Sequence, residues 1–267
     1  MALPPPSDSS TALITGASSG IGTEFARQLA ARGLNVTLVA RRRERLESLA
    51  KELKEEHGVR ADVSVCDLTS AAARGRMIGA VKRRGLDVEI LVNNAGFGSG
   101  GRFHELDPDG ELAMVRTNVE AVLHLCTEFV PPMVDRGRGA VLNVASVAAF
   151  QPVPRQATYA ATKAFVLSFT DALSADLHGT GVTATSLCPG PVPTEFGEVA
   201  EIDENLLDLP GVSVSPEDTA RAAIEGMDGG KRVVVPGPAT KVTALVGRFA
   251  PRWLALETMR RFYPVGK

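Results

Sequence analysis

The chain has 267 residues, 44% hydrophobic and 22% charged, with a formal charge of -2. That size and balance suit one large α/β domain with a substantial core, and a near-neutral chain gives no reason to expect nucleic acid as a partner. Cys66, Cys126 and Cys188 are odd in number and far apart, which argues against a disulfide framework and for a reducing cytoplasm. His57, His104, His124 and His178 lack zinc-ligand spacing, so no metal site is expected.

Residues 1–10 have neither a basic nor an apolar targeting region and read as a short disordered lead. No run approaches the roughly 18 apolar residues of a spanning helix. From there short apolar runs alternate with longer amphipathic stretches. Thr11–Thr15 predicts a strand, followed by a glycine turn and a helix to about Arg32. Asn35–Ala40 is a second strand, with a charged helix from about Arg42 to His57, and Arg60–Cys66 a third. A helix over about 70–84 leads to the strand Val88–Val92, then one long helical region near 108–136 to the strand Ala140–Ala145. A helix over about 156–178 precedes Val182–Leu187, and a helix near 216–227 precedes Arg232–Val235.

The apolar runs are β-branched and nearly continuous, as strands are when helices cover both faces. Repeated βα alternation predicts a single-domain, Rossmann-type, doubly wound parallel sheet of about seven strands. The domain is expected to span 11–239, with a C-terminal helical extension over 240–267. The irregular piece 189–215 interrupts the pattern, and loops of that length inside a compact domain are usually functional.

The first strand runs into Thr15–Gly22, TGASSGIG. Glycines allow a tight turn and close backbone approach to a pyrophosphate, and the following helix N-terminus offers free N–H groups and a positive dipole. The spacing is GxxxGxG, not GxGxxG, and a plain strand-to-helix turn would also carry it. Where many NAD enzymes place an acid for the ribose 2′-hydroxyl, this chain has Ala40, Arg41, Arg42 and Arg43. Cations there oppose the helix dipole, which suggests a bound anion. The 2′-phosphate of NADP fits, with Arg41 and Arg42 as partners, so NADP(H) is favoured over NAD(H). The other reading is a solvated face, since Arg45, Lys51 and Lys54 follow on the same helix.

Tyr159 and Lys163 stand four apart and share a helical face. A neighbouring ammonium favours phenolate, so the tyrosine is expected to titrate below its usual value near 10. It could then give a proton to a developing alkoxide or take one from an alcohol. Ser146, at the end of the strand Ala140–Ala145, lies where a hydroxyl could meet a substrate oxygen.

With these pieces the chain resembles the short-chain dehydrogenase/reductase family. The matching residues are Thr15–Gly22, Asp67-Leu68, Asn93-Asn94-Ala95-Gly96, Asn118, Ser146, Tyr159 to Lys163 (YAATK) and Pro189 to Thr194 (PGPVPT), in the family's order and spacing from residue 11 to about 237. The resemblance implies that Tyr159 is the general acid/base and that Lys163 holds the nicotinamide ribose hydroxyls and tunes Tyr159. It implies that Ser146 orients the carbonyl, and that Asn118 bends its helix and holds a relay water. Gly16, Ser18, Ser19, Gly20, Ile21 and Gly22 would cradle the phosphates. Asp67 and Leu68 would meet the adenine, and Asn94, Ala95 and Gly96 would pack under the adenosine ribose. Pro189, Gly190, Val192 and Thr194 would hold the carboxamide and pyrophosphate. On local grounds alone Asp67, Thr69 or Ser70 could instead cap the next helix, Asn93–Gly96 could be a strand-end turn, and Pro189-Gly190 a strand terminator.

Residues 195–215 are expected to form a flap over a small-molecule substrate, with Phe196, Val199, Ile202, Leu206, Leu207 and Leu209 as its apolar members. Phe97 and Phe103 are placed in the same cleft; either set could equally be packing. An apolar pocket favours a lipophilic ketone or 3-oxoacyl substrate. Pro251 should split the tail into two helices, whose apolar residues are read first as packing on this or a neighbouring chain and second as a basic amphipathic membrane contact. The resemblance implies a homodimer or homotetramer paired through the helices near 108–136 and 156–178. The alternatives carried are a non-catalytic dinucleotide-binding sensor on the same fold, a membrane-surface lipid reductase, and a dehydratase or epimerase, for whose usual extra domain 267 residues leave little room.

Overall fold

The computed structural model describes residues 3–199 and 212–262. In chain order the strands are β1 (Ser10–Thr15), β2 (Val36–Ala40), β3 (Ala61–Val65), β4 (Asp87–Asn93), β5 (Gly139–Val144), β6 (Val182–Leu187) and the short β7 (Val233–Val234). They pair in the order β3-β2-β1-β4-β5-β6-β7, every pairing parallel. The helices are α1 (Gly20–Ala30), α2 (Arg43–His57), α3 (Ala71–Arg83), α4 (Pro108–Val115), α5 (Ala121–Asp135), α6 (Ala157–Asp176), the single turn α7 (Phe196–Val199), α8 (Pro216–Asp228), α9 (Pro238–Phe249) and α10 (Arg252–Phe262).

Alternate residues of each buried strand feed two cores. Ala12 and Ile14 of β1 join Phe25 and Leu29 of α1, Leu46 and Leu53 of α2, and Ile224 and Met227 of α8. Leu13 points the other way, into a core with Met77 and Val81 of α3, Leu125 and Phe129 of α5, and Val166 of α6. Burial on both faces is why the strands read as continuous apolar runs. The chain steps outward from β1 through β2 to β3, then crosses back to β4 on the other side of β1, so the strand order reverses at β1/β4. In such sheets ligands bind outside the carboxyl ends at that point.

Local chemistry sets the helix starts. Ser70 caps α3 by accepting from Ala73 N, Asp107 caps α4 ahead of Pro108, and Ser215 caps α8 ahead of Pro216. Ser70 therefore takes the capping role that the sequence left open among three residues, and Asp67 is released from it.

Two expectations change and a third is narrowed. The single helix over 108–136 is two, α4 and α5, joined by a π-turn at Arg116–Glu120 that holds Asn118. Such a bulge marks many functional sites and has no signature in apolar periodicity. The lead is not loose over 3–9: Leu3 N–H donates to Asp228 Oδ1 at 3.2 Å, Pro4 is buried, and Asn35 Nδ2 donates to Ser7 O. The tail does break at Pro251; Met259 packs inward, while most of its other large apolar residues face away from this chain, which leaves packing on a neighbouring chain or membrane contact for them. α9 turns Thr240 and Ala244 inward and leaves Val242, Leu245, Val246 and Phe249 59–75% exposed. Small residues are inside because the contact is close: a Cβ on Gly190 would lie 2.5 Å from Thr240 Oγ1, and one on Gly247 3.2 Å from Phe150 Cβ. No helix among the described residues is long and apolar enough to cross a membrane.

Candidate active site

A cleft of about 440 Å³ opens at the carboxyl ends of the strands. Its floor at one end is the turn from β1 into α1. Gly16 and Gly20 sit at φ +69° and +56°, and a Cβ on Gly22 would lie 2.2 Å from Gly16 O. Glycine at all three positions lets the backbone double back without a side chain in the groove. Thr15 Oγ1 accepts from Asn94 N and Ala95 N, and Asn94 Nδ2 donates to Thr15 O at 3.0 Å. The end of β4 is thereby tied to the end of β1, and Asn94, Ala95 and Gly96 line the cleft beside the turn. Ser19 is the N-cap of α1, yet its side chain makes no capping bond. Its hydroxyl receives Arg42 Nη2 at 2.7 Å instead.

Arg41 and Arg42 both line this end. Arg42 also donates to Ser18 Oγ and pairs with Glu195 Oε2 at 2.6 Å. Asp67 accepts from Thr69 N at 3.0 Å and Thr69 Oγ1 at 2.8 Å, and these bonds hold its carboxyl below the usual range. Leu68 lines the cleft beside it, its carbonyl held by the buried guanidinium of Arg74.

At the other end stand Ser146, Tyr159 and Lys163, all buried or nearly so. Ser146 follows β5, and its Oγ accepts from Ala148 N at 3.1 Å. Lys163 Nζ donates to Val144 O at 2.7 Å and lies 5.8 Å from the centre of the Tyr159 ring. Asn118 is one shell further in. Its Nδ2 donates to Phe97 O and Thr162 Oγ1, while its Oδ1 accepts from Phe97 N. A Cβ on Gly96 would stand 3.0 Å from Asn118 Oδ1 and 3.3 Å from Lys163 Nζ. The glycine thus makes room for both.

The expected lowering of Tyr159 is not what this environment gives. Burial pushes the phenol up to about 12 against a smaller opposing effect of the Ser146 hydroxyl, and burial brings Lys163 down to about 8. Desolvation of the phenolate decides the direction, and Lys163 is turned to a main-chain carbonyl. The thiol of Cys188 is pushed up to about 12 by burial and stays protonated.

Every site residue expected from the sequence lines this one cleft except Gly22 and Asn118, which buttress it from behind. Pro189, Gly190, Val192 and Thr194 form the wall between the two ends, with Gly20 in contact with Thr194. Phe97 and Phe196 line the Tyr159 end, the Phe196 ring 5.5 Å from that of Tyr159. Phe103 does not: it is 67% exposed on a 3-10 turn outside the cleft. The remaining flap residues Ile202, Leu206, Leu207 and Leu209 lie outside the described residues, as does the Val199 side chain. Gln151, Val153, Gln156 and Met259 also line the cleft and were not foreseen. The first three sit on an irregular loop and the last on α10, where no local pattern signals a site. Among the described residues no group of three or more His, Cys, Asp or Glu could hold a metal ion.

Comparison with known proteins agrees with this geometry. Residues 10–205 match the short chain dehydrogenase family. A putative ketoacyl reductase of Streptomyces coelicolor is 40% identical over 208 residues, covering 77% of this chain and 78% of the relative. A short-chain dehydrogenase of Sphingobium yanoikuyae, solved with NADPH, superposes with TM-score 0.79 at 33% identity over 97% of each chain. A bulky-bulky ketone specific alcohol dehydrogenase of Comamonas testosteroni does so with TM-score 0.76 at 30% identity, covering 98% of this chain and 96% of that one. The chain belongs to the short-chain dehydrogenase/reductase family, oxidoreductases that bind NAD(P) and interconvert carbonyl and alcohol groups on small molecules.

Proposed function

We propose that the chain is an NADP(H)-dependent reductase of a lipophilic ketone or 3-oxoacyl compound, working in the cytoplasm. The observation that carries this reading is one continuous cleft. It has Arg41 and Arg42 at one end, Ser146, Tyr159 and Lys163 at the other, and the apolar groups Phe97, Val153, Phe196 and Met259 around the latter. The glycine turn, which a Cβ at Gly16 or Gly22 would fill, fits a dinucleotide. Bound there, the nicotinamide supplies or accepts the hydride.

The protein's own residues do the rest. Ser146 donates a hydrogen bond to the carbonyl oxygen as charge develops on it. Tyr159 delivers the proton to that oxygen; a phenol held neutral by burial is in the right state for reduction. Lys163 reaches past Gly96 to hold ribose hydroxyls, and Asn118 fixes the Phe97 backbone over the same spot. The apolar lining supports a bulky lipophilic substrate, as in the Comamonas relative's name. Retention of all four reacting residues in one place disfavours the sensor reading. Exposed Val115, Leu123 and Phe165 on the α4–α6 side support pairing of two copies through α5 and α6.

The cofactor preference is tested at Arg42. Arg42→Ala is expected to weaken NADPH binding about tenfold or more, the cost of losing a charge-assisted bond to phosphate, and to leave NADH binding nearly unchanged. Fluorescence titration of each cofactor measures this. Equal weakening of both would assign Arg42 to the shape of the glycine turn and remove the argument for NADP.

A further inference from the structure

We propose that Glu195 is an internal competitor for the 2′-phosphate of the cofactor, and so sets how strongly the enzyme prefers the phosphorylated form. The inference rests on the NADP reading of Arg42. The anion site of the cleft already holds an anion from the protein itself. Glu195 places one carboxylate oxygen 2.6 Å from Arg42 Nη1 and the other 2.5 Å from Arg45 Nη1. The remaining edge of Arg42 is committed too, with Nε and Nη2 on Ser18 Oγ and Nη2 on Ser19 Oγ. Each nitrogen of the guanidinium is therefore already engaged by a protein oxygen. These two arginines hold the Glu195 carboxyl near 2, so it is fully ionised at neutral pH.

The carboxylate comes from far along the chain, 153 residues from Arg42 and 150 from Arg45. It is not an element of α2 neutralising its own helix. It directly follows Thr194, which packs on Gly20 of the phosphate turn, and directly precedes Phe196, which packs on Tyr159. A phosphate that takes Arg42 must displace this carboxylate or lie beside it. Displacement from Arg42 costs a charge-assisted bond, and adjacency costs like-charge repulsion. Both oppose NADP and leave NAD, which has a hydroxyl at that place, untouched. Displacement would also pull on the segment that carries Phe196, linking the cofactor's phosphate to the wall of the substrate end.

The arginines and Glu195 are each 38–50% exposed on the side chain, so the effect should be modest and salt-dependent. Glu195→Gln keeps the size and removes the charge. Titrations of wild type and Glu195→Gln with NADPH, NADH, 2′-AMP and 5′-AMP at low salt test the idea without turnover. The expected result is about three- to tenfold tighter binding of NADPH and 2′-AMP, less than about twofold change for NADH and 5′-AMP, and a gain that shrinks as salt is raised. Unchanged or weaker NADPH binding would overturn the proposal; weaker binding would mean that Glu195 clamps the cofactor through Arg42. Arg42→Ala separates the two levels. If it removes the NADPH preference while Glu195→Gln gives no gain, the NADP reading stands and the competitor fails. If Arg42→Ala does not discriminate between NADPH and NADH, both fall together.

Discussion

Tyr159→Phe is expected to lower turnover at least about a hundredfold, the low end for loss of a positioned acid or base, with cofactor affinity little changed. The substitution removes one oxygen from a side chain that is 8% exposed and leaves its ring against Phe196. The Lys163 to Val144 bond does not involve that oxygen. Steady-state rates and cofactor titration on the same preparation separate the two effects. Turnover near that of the wild type would move the proton donor to another group. The same pair of proteins reports the state of the phenol. Tyr159 is one of two tyrosines in the chain, so the difference in phenolate absorbance between wild type and Tyr159→Phe isolates it. Burial raises the phenol to about 12 in the cofactor-free protein. A raised value keeps the proton on, so the difference should stay near zero up to about pH 10, where an ordinary phenol is half ionised.

Gly22→Ala is the second large effect. Alanine is a good helix former and the site is in the first turn of α1, so local propensity favours the change. Packing forbids it, because the new methyl would sit 2.2 Å from Gly16 O and 2.6 Å from Asn94 Nδ2. Both are parts of a tied turn with little freedom to yield. The expected outcome is a loss of about 1–3 kcal/mol of stability, the range for overpacking, and at least a tenfold loss of cofactor affinity, about 1.4 kcal/mol, as the cradle opens. Gly75→Ala is the control. It lies on the open side of α3 with nothing within 4 Å of the added Cβ, and should stabilise by about 0.5–1 kcal/mol. Thermal melts of the two variants measure the contrast. A Gly22→Ala protein that melts and binds as the wild type does would contradict the close approach at Gly16.

The strands and most helices were legible because their signals are local. A β-branched run such as Val36–Ala40 is a strand buried on both faces wherever it sits, and Ser70, Asp107 and Ser215 announce helix starts within three residues. The family's motifs carried the candidate residues with them: Ser146, Tyr159 and Lys163 line one cleft, and Asn118 stands just behind it. What the sequence hid depends on distant partners. The π-turn around Asn118 is stabilised by Phe97, 21 residues away, and by Thr162, 44 away. The lysine next to Tyr159 in helical spacing turns to Val144 O, and burial of the phenol, which no local pattern reveals, sets its direction upward. The basic run Arg41–Arg43 suggested an anion, but nothing near it showed that Glu195 would supply one. The tail's apolar residues suggested packing on this or a neighbouring chain; on this chain α9 sets small residues against Gly190 and Phe150 and leaves its large ones outside.

The proposed reaction of this cleft is hydride transfer between a nicotinamide and a lipophilic carbonyl. The most direct measurement is the fall in cofactor absorbance when the purified protein meets NADPH or NADH with a panel of steroid ketones, 3-oxoacyl thioesters, aromatic aldehydes and sugars. The expected result is consumption of NADPH faster than NADH with one of the lipophilic classes. Tight NADPH binding with no consumption by any member, or turnover confined to short polar sugars, would contradict it.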